Sequence, residues 1–532
     1  MSQKRARAII LTMAASGAMG AVLARLQPDP GWGAFAGFFA ISFLALTALA
    51  SATLWAGGGT ALAWMVSLAF LLRLVTGVGL HVALPTAGYD DPDDRAGYVY
   101  TDAHRRDTQA WELANSNKSL LDAFARRYHA DQYGGLLAFS ALAYRLFSPG
   151  AHRPLLLVLL TALTSALGVP FLWRATGALW NKVAARASCW LYVLYPEFVL
   201  LGGSAMREPY LIALSAQALW GLALMLRPRP ARDPMPRAGV LWMAASALLM
   251  LLVSPAALLA NLVVLLGWYL VQVRRSRAVW PMVAGGVALL IAGGLFLSWS
   301  LNRRGQFGVG APPEVVGTFL RQAVAWDVYQ LERGSGWVQK LFEEMPHWLH
   351  LPFVATYGVL QPVLPAALIE PTTPLWQAIA IGRAAGWYLI LPLLALSLFL
   401  ASRWAPATSR NPLPWLSWAC WIWIVLAALR GGADQWDNPR YRSILFVWQA
   451  VLVAQAWTWW QATRSPWLGR AVAMELALVL GFGQWYLSRY LHVGAQVPFG
   501  LVVAGIAALW VAILTGGWLW DRHRLTRQAA SL

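Results

Sequence analysis

AFAGFFAISFLALTALASATL, residues Ala34–Leu54, decides the fold class, because no charged side chain interrupts it. Crossing the hydrocarbon of a bilayer takes about 20 apolar residues of helix. Comparable stretches recur along the chain at Val279–Trp299, Leu375–Leu400 and Leu501–Trp520. Hydrophobic residues make up 59% of the 532 positions and charged residues 12%, about half the charged share of a soluble domain. In lipid a backbone must satisfy its own hydrogen bonds, which leaves helices or closed barrels. No period-two alternation runs over lengths that suit a barrel. The expectation is an all-α, polytopic transmembrane helical bundle.

The net charge of +18 is distributed as topology and not as a nucleic-acid footprint. Basic residues fall in short clusters between apolar stretches: Lys4/Arg5/Arg7, Arg174/Lys182/Arg186, Arg227/Arg229/Arg232/Arg237, Arg274/Arg275/Arg277, Arg403/Arg410, Arg464/Arg470 and Arg522/Arg524/Arg527. Cytoplasmic loops carry such clusters, and tryptophan, present 32 times, favours the membrane interface. No nucleic-acid partner is expected. Cys189 and Cys420 both lie inside apolar stretches, which argues against a disulfide framework or a cysteine metal site. The first apolar run lacks a clear cleavage site and is expected to remain as a helix.

With both termini cytoplasmic, the clusters are satisfied by about fourteen spans: near 8–26, 34–54, 62–84, 154–173, 187–205, 209–226, 239–254, 256–273, 279–299, 376–400, 414–430, 442–462, 471–490 and 499–520. Leu136–Phe147 is apolar but too short to span and is expected as a juxtamembrane or half-inserted helix. Two N-terminal helices (1–60) would precede a membrane module (61–300) whose first outer loop is 85–135. A second outer region (301–375) and the C-terminal helices (376–532) follow. A bacterial inner or plasma membrane is the expected location.

The first outer loop departs from every basic cluster, with nine acidic and six basic residues between Pro85 and Gly135. It contains GYDDPDDRAGYVYTDAHRRDTQAWELA, Gly88–Ala114. From Asp102 to Ala114 this reads as an amphipathic helix, with Asp102 near the N-terminus, where the helix dipole favours a carboxylate. Asp102 and Asp107, beside Arg105 and Arg106, suit a base working next to a phosphate-bearing lipid. The Asp90–Asp94 turn reads as a solvated acidic turn or as a metal or sugar contact. His347 and His350 could place two ligands on one helix face, but an interfacial aromatic-rich helix is the better account of them. Arg207/Glu208 read either as an ion pair or as site residues, and Arg440/Arg442 either as phosphate ligands or as flanks of a span.

These pieces together resemble the GT-C superfamily of lipid-dependent glycosyltransferases, in particular its family-39-like members related to protein mannosyltransferases and aminoarabinose transferases. The resemblance rests on a helix carrying Arg73 followed by the acidic outer loop. It also rests on Asp131-Gln132-Tyr133-Gly134-Gly135, on Tyr195-Pro196-Glu197 followed by Met206-Arg207-Glu208-Pro209, and on Asp437-Asn438-Pro439-Arg440-Tyr441-Arg442. It covers roughly 60–230 and 430–450. It implies transfer of a sugar from a polyprenyl-phosphate carrier to a glycan, lipid or protein acceptor on the outer face. Asp102 or Asp107 would serve as base, and Arg105, Arg106, Tyr133, Arg207, Glu208, Arg440 and Arg442 would bind substrate. No cofactor is fixed by these motifs, and a divalent cation is a candidate. Asp107 has Trp111 four residues on but Thr108 beside it, and Asp102 has Ala103, so either could be the base. The competing readings are a transporter or flippase of lipid-linked or anionic substrates, which should carry its charges mid-span, and a non-catalytic subunit of the same fold. One geometric expectation follows from the glycosyltransferase reading: Asp102 or Asp107 should lie within ~10 Å of Arg207/Glu208 or Arg440/Arg442, so that one head group can touch both.

Overall fold

The computed structural model describes residues 3–125, 127–128, 133–227, 236–273, 345–400, 411–431 and 434–530, with a few isolated helical positions between 288 and 314. Regular structure among them is helical throughout. The first half runs α1 (Gln3–Arg25), α2 (Trp32–Ala56), α3 (Gly59–Ala87), α4 (Pro92–Arg95), α5 (Thr101–Ala114), a 3-10 turn (Leu120–Phe124) and α6 (Gly135–Phe147). It continues with α7 (Leu155–Leu179), α8 (Lys182–Leu194), α9 (Pro196–Gly202), α10 (Glu208–Met225), α11 (Arg237–Val253) and α12 (Pro255–Val273). The second half holds α13 (His347–Leu360), α14 (Leu364–Ile369), α15 (Pro374–Leu400), α16 (Leu413–Gly431), α17 (Asp437–Ser443), α18 (Phe446–Thr463), α19 (Trp467–Tyr490) and α20 (Phe499–Ala530).

Eight helices among the described residues are long and apolar enough to cross a membrane: α2, α3, α7, α12, α15, α16, α19 and α20. The chain is an integral membrane protein. α1 and α11 carry shorter apolar stretches. Most of the expected span at 279–299 and of the second outer region, the Asp131-Gln132 pair and the basic clusters at 229–232, 274–277 and 403–410 lie outside the described residues. Burial grades the bundle: 72% of the apolar stretch of α7 is buried, against 6% for α20. α7 is therefore central, packed by α2, α3, α8 and α10, and the C-terminal pair α19–α20 is peripheral. Glycine permits the closest helix approaches, since any larger residue would place a Cβ against the partner backbone. A Cβ at Gly37 of α2 would fall 2.1 Å from the Phe147 carbonyl oxygen, and one at Gly77 of α3 would fall 2.2 Å from that of Gly203.

Two spans expected as continuous are divided. The stretch at 187–205 breaks at Tyr195-Pro196 into α8 and α9, because proline removes a helical N–H donor and fits best in a first turn. The break orphans carbonyls in the last turn of α8. Arg73, fully buried in α3, supplies the donors: Nη2 to the Tyr192 oxygen at 2.8 Å and Nη1 to that of Val193 at 3.3 Å. Its Nε donates to Ser165 Oγ at 2.6 Å. The second divided span, 442–462, is preceded by the short helix α17. Leu136–Phe147, together with Gly135, forms the thirteen-residue α6, which packs on α5 and α2.

Candidate active site

The site is built on α5. Its amphipathic pattern forms the expected helix, with Asp102 in the first turn, but the buried face is not purely apolar. Arg106 and Asp107 are buried beside Ala103, Ala110 and Leu113. The Asp90–Asp94 turn leading into α5 is a folded platform. Asp91 caps α4 by accepting from the backbone N–H groups of Asp93 and Asp94 at 2.9 and 2.8 Å. Asp94, buried, accepts from the Tyr89 N–H at 2.5 Å and from Trp376 Nε1 at 3.1 Å. Asp93 accepts from Thr101 Oγ1 at 2.5 Å and pairs with His104 Nδ1 at 2.7 Å. The exposed Asp90 pairs with Arg95 at 2.6 Å.

Arg440 stands at the centre of a second group. Its Nη1 donates to Asp102 Oδ2 at 2.9 Å, its Nε lies 3.4 Å from Glu208 Oε1, and its Nη2 lies 3.4 Å from Asp437 Oδ1. Glu208 opens α10 and also faces Arg207, whose Nε lies 3.5 Å from the same Oε1. The side chain of Glu208 is fully buried, and that of Asp102 is 44% exposed. Tyr133 lies beneath the Arg207 guanidinium, 5.6 Å from Cζ to ring centroid. Arg106 donates to the Ala205 carbonyl at 3.0 Å, which brings α5 against the turn before α10. The expected convergence of the 85–135 loop, the Arg207-Glu208 turn and the Asp437–Arg442 helix is thus observed: Arg440 is hydrogen-bonded to Asp102, and Arg440 and Arg207 both stand at ion-pair distance from Glu208. α17, which the span expectation ran into its successor, is the separate element that delivers Arg440.

Charge shapes the ionisation of this group. Burial alone would raise the carboxyl of Asp102, but the guanidiniums of Arg440, Arg106 and Arg207 outweigh it and hold the group below its ordinary value. Asp437 moves the other way, pushed up foremost by burial, which Arg440 only partly offsets. The Arg440 guanidinium is held more firmly protonated than usual: burial opposes its charge, and Glu208, Asp437 and Asp102 together exceed that penalty.

Asp107 occupies a different setting. Its side chain is fully buried and accepts from the hydroxyls of Tyr98 and Tyr144, with His152 Nε2 at 3.2 Å. His152 in turn stacks on Trp111. Burial first, and the neighbouring carboxylate second, hold the Tyr98 phenol well above its ordinary value. Arg105 is exposed. Arg442, two residues beyond Arg440, does not join the cluster. It is buried with Nη1 donating to the Gln361 oxygen at 2.6 Å, and its guanidinium lies 3.5 Å from the Trp387 ring centroid.

Several participants were not singled out from the sequence. Asp437 and Tyr441 lie inside the quoted Asp437–Arg442 motif. Glu197 lies in Tyr195-Pro196-Glu197 and forms a buried pair with Arg383, Nε to Oε2 at 2.6 Å. Arg383 also donates to the Gln435 oxygen at 2.9 Å and covers the Trp436 ring, which ties α9 and α15 to the approach to α17. An arginine in the middle of an apolar stretch was the signal available for it. His350 Nε2 lies 3.1 Å from the Met345 oxygen. Among the described residues no group of three or more His, Cys, Asp and Glu is arranged to hold a metal ion.

No protein-family model matches the chain, and no curated protein matches it in sequence. Solved structures with a similar helical layout are oligosaccharyltransferases of Archaeoglobus fulgidus. One is AglB in complex with an inhibitory peptide and a dolichol-phosphate, 14% identical, covering 85% of this chain and 54% of that one at a TM-score of 0.39. Another is the apo form, 17% identical, covering 85% and 55% at a TM-score of 0.41. The chain spans about half the length of these proteins.

Proposed function

We propose that the protein is a membrane glycosyltransferase that moves a sugar from a polyprenyl-phosphate donor to a hydroxyl acceptor at the outer face, with Asp102 as the acceptor-facing carboxylate. The observation that carries this reading is the Arg440 junction, where the half-exposed Asp102 pairs with Arg440, and Arg440 also lies 3.4 Å from the Glu208 carboxylate that Arg207 faces. Transfer breaks the bond between the sugar C1 and the phosphate oxygen and forms one between C1 and the acceptor oxygen. The bonding pair leaves with the phosphate, and the acceptor's proton passes to Asp102. A carboxylate held below its ordinary pKa stays ionised; it orients the hydroxyl first and takes its proton late, as positive charge builds at C1. Arg440 and Arg207 offer charge-assisted hydrogen bonds to the departing phosphate, and Tyr133 backs the Arg207 guanidinium. The buried Asp107 serves the fold of α5.

The test is transfer of labelled sugar from a purified polyprenyl-phosphate donor by protein in liposomes. Asp102→Asn is expected to lose about 10²–10⁴-fold, the usual contribution of a positioned base, with folding retained. Transfer at the wild-type rate in this variant would remove Asp102 from the mechanism. Substrate flux across sealed liposomes without any transfer would replace the enzyme with a transporter.

A further inference from the structure

We propose that the guanidinium of Arg440 is the resident cation of the Asp102–Glu208–Asp437 cluster and stands where a divalent ion would have to sit, so that the wild-type protein holds no divalent ion there. The carboxylates come from three segments distant in sequence: the outer-loop helix α5, the first turn of α10, and α17. Such a convergence of acidic groups beside a phosphate site would ordinarily suggest a metal. Here each edge of one guanidinium already faces one carboxylate, at 2.9, 3.4 and 3.4 Å.

Glu208 provides the sharpest test of fit. Both of its oxygens are buried and lack a hydrogen bond, which by itself would invite an ion. Yet Oε1 lies 3.4 Å from Arg440 Nε and 3.5 Å from Arg207 Nε. A divalent ion binding that oxygen would sit ~2.0–2.6 Å from it, against two fixed positive charges in a water-poor setting where their repulsion is weakly screened. Arg106 adds a third positive charge to the field at Asp102. The formal charges of Asp102, Glu208 and Asp437 are matched by those of Arg440, Arg207 and Arg106, which leaves no deficit for a dication to fill. The residues present therefore do not fit a divalent metal. Unlike a bound ion, this cation is covalently part of the chain and cannot be lost to a chelator.

The cation claim rests on the side chains alone; its meaning for transfer rests on the function proposed above. The experiment is electron paramagnetic resonance titration of Mn²⁺ into chelator-stripped full-length protein in detergent, without donor. Wild type is expected to bind no Mn²⁺ that Asp102→Asn or Glu208→Gln removes. Arg440→Ala is expected to gain one bound Mn²⁺ per chain, lost again when Asp102→Asn is added, whereas Arg440→Lys should gain none. Should Arg440→Ala not fold, Arg440→Gln keeps more of the bulk and gives the same readout. One Mn²⁺ per wild-type chain that depends on Asp102 or Glu208 would overturn the proposal. So would a neutral Arg440 variant that folds and binds none. Sugar transfer by chelated wild type should match that of untreated protein. Absence of transfer under all conditions would sink the glycosyltransferase reading and leave the Mn²⁺ result standing.

Discussion

Asp102 and Asp107 share one helix and lie five residues apart, yet they have opposite surroundings. The first is half exposed and bound by an arginine from a segment more than three hundred residues away. The second is sealed from solvent and satisfied by two phenols and a histidine. Arg440 and Arg442 repeat the contrast two residues apart: one meets three carboxylates, the other two backbone carbonyls and an indole face. In each pair, identical chemistry in the sequence falls into two settings, one at the Arg440 junction and one locked into the packing beside it. At Asp102 and Asp107 what divides them is which face of α5 turns toward solvent and which toward the bundle; Arg440 and Arg442 are both buried and differ only in the partners that meet them. A buried carboxylate whose lone pairs are all taken by hydrogen bonds stabilises; one that keeps an open side can meet a substrate.

The largest effect that sharpens this contrast is expected at Asp107. Asp107→Ala leaves the hydroxyls of Tyr98 and Tyr144 buried without their acceptor, at about 1–3 kcal/mol for each orphaned group. Thermal unfolding in detergent should fall well below that of wild type, while transfer per folded molecule persists. Asp102→Asn should show the reverse, with a nearly unchanged melting temperature and lost transfer. Exchanged phenotypes would reverse the assignment of the two residues.

Next in size is Arg442→Ala. It removes the donor to the Gln361 oxygen and the guanidinium over Trp387, the latter worth ~2 kcal/mol in a desolvated setting. The expected loss is in stability alone, with donor affinity intact. Arg440→Ala should instead weaken donor binding, read as a rise in KM. A KM change in Arg442→Ala at unchanged stability would put that residue back in the site.

Much of this was legible in the sequence because membranes enforce simple rules. Ala34–Leu54 and its counterparts could only be helices, and α5 announced itself through its pattern and its carboxylate near the N-terminus. That one aspartate of the 85–135 loop would meet Arg207/Glu208 or Arg440/Arg442 followed from asking one head group to touch both, which left Asp102 and Asp107 as alternatives. What the sequence could not convey was which charges are buried. Asp107 looks as solvated as Asp102 until Tyr98, Tyr144 and His152, from three other segments, close around it. The span read at 187–205 hid a break at Pro196 because apolar composition is indifferent to whether a helix is continuous. Only the partner for the orphaned carbonyls, Arg73, reveals how that break is tolerated.

The smallest predicted effect separates two carboxylates that share a single partner. Asp102 and Asp437 lie 2.9 and 3.4 Å from Arg440, but their ionisation shifts in opposite directions. Burial works against the charge on Asp102, and Arg440, Arg106 and Arg207 overcome it, so its carboxyl titrates below the ordinary 3.8. Its stabilising contribution is present above about pH 4 and is lost as pH falls through the depressed value. Burial dominates at Asp437, with Asp434, Asp102 and Glu208 adding to it, so that carboxyl titrates above 3.8. Its contribution runs the other way: the folded state favours the protonated form, and stability declines as pH rises from about 4 through the raised value. Asp437→Asn should therefore melt slightly higher than wild type at neutral pH, with the difference vanishing near pH 4. Asp102→Asn should melt slightly lower at neutral pH, also converging with wild type in acid. Melting temperatures of the two variants across about pH 4 to 7 should diverge in opposite directions. Parallel profiles would mean that both carboxylates sit in the same field, and that Arg440 does not distinguish the residue facing the acceptor from the one that helps hold it in place.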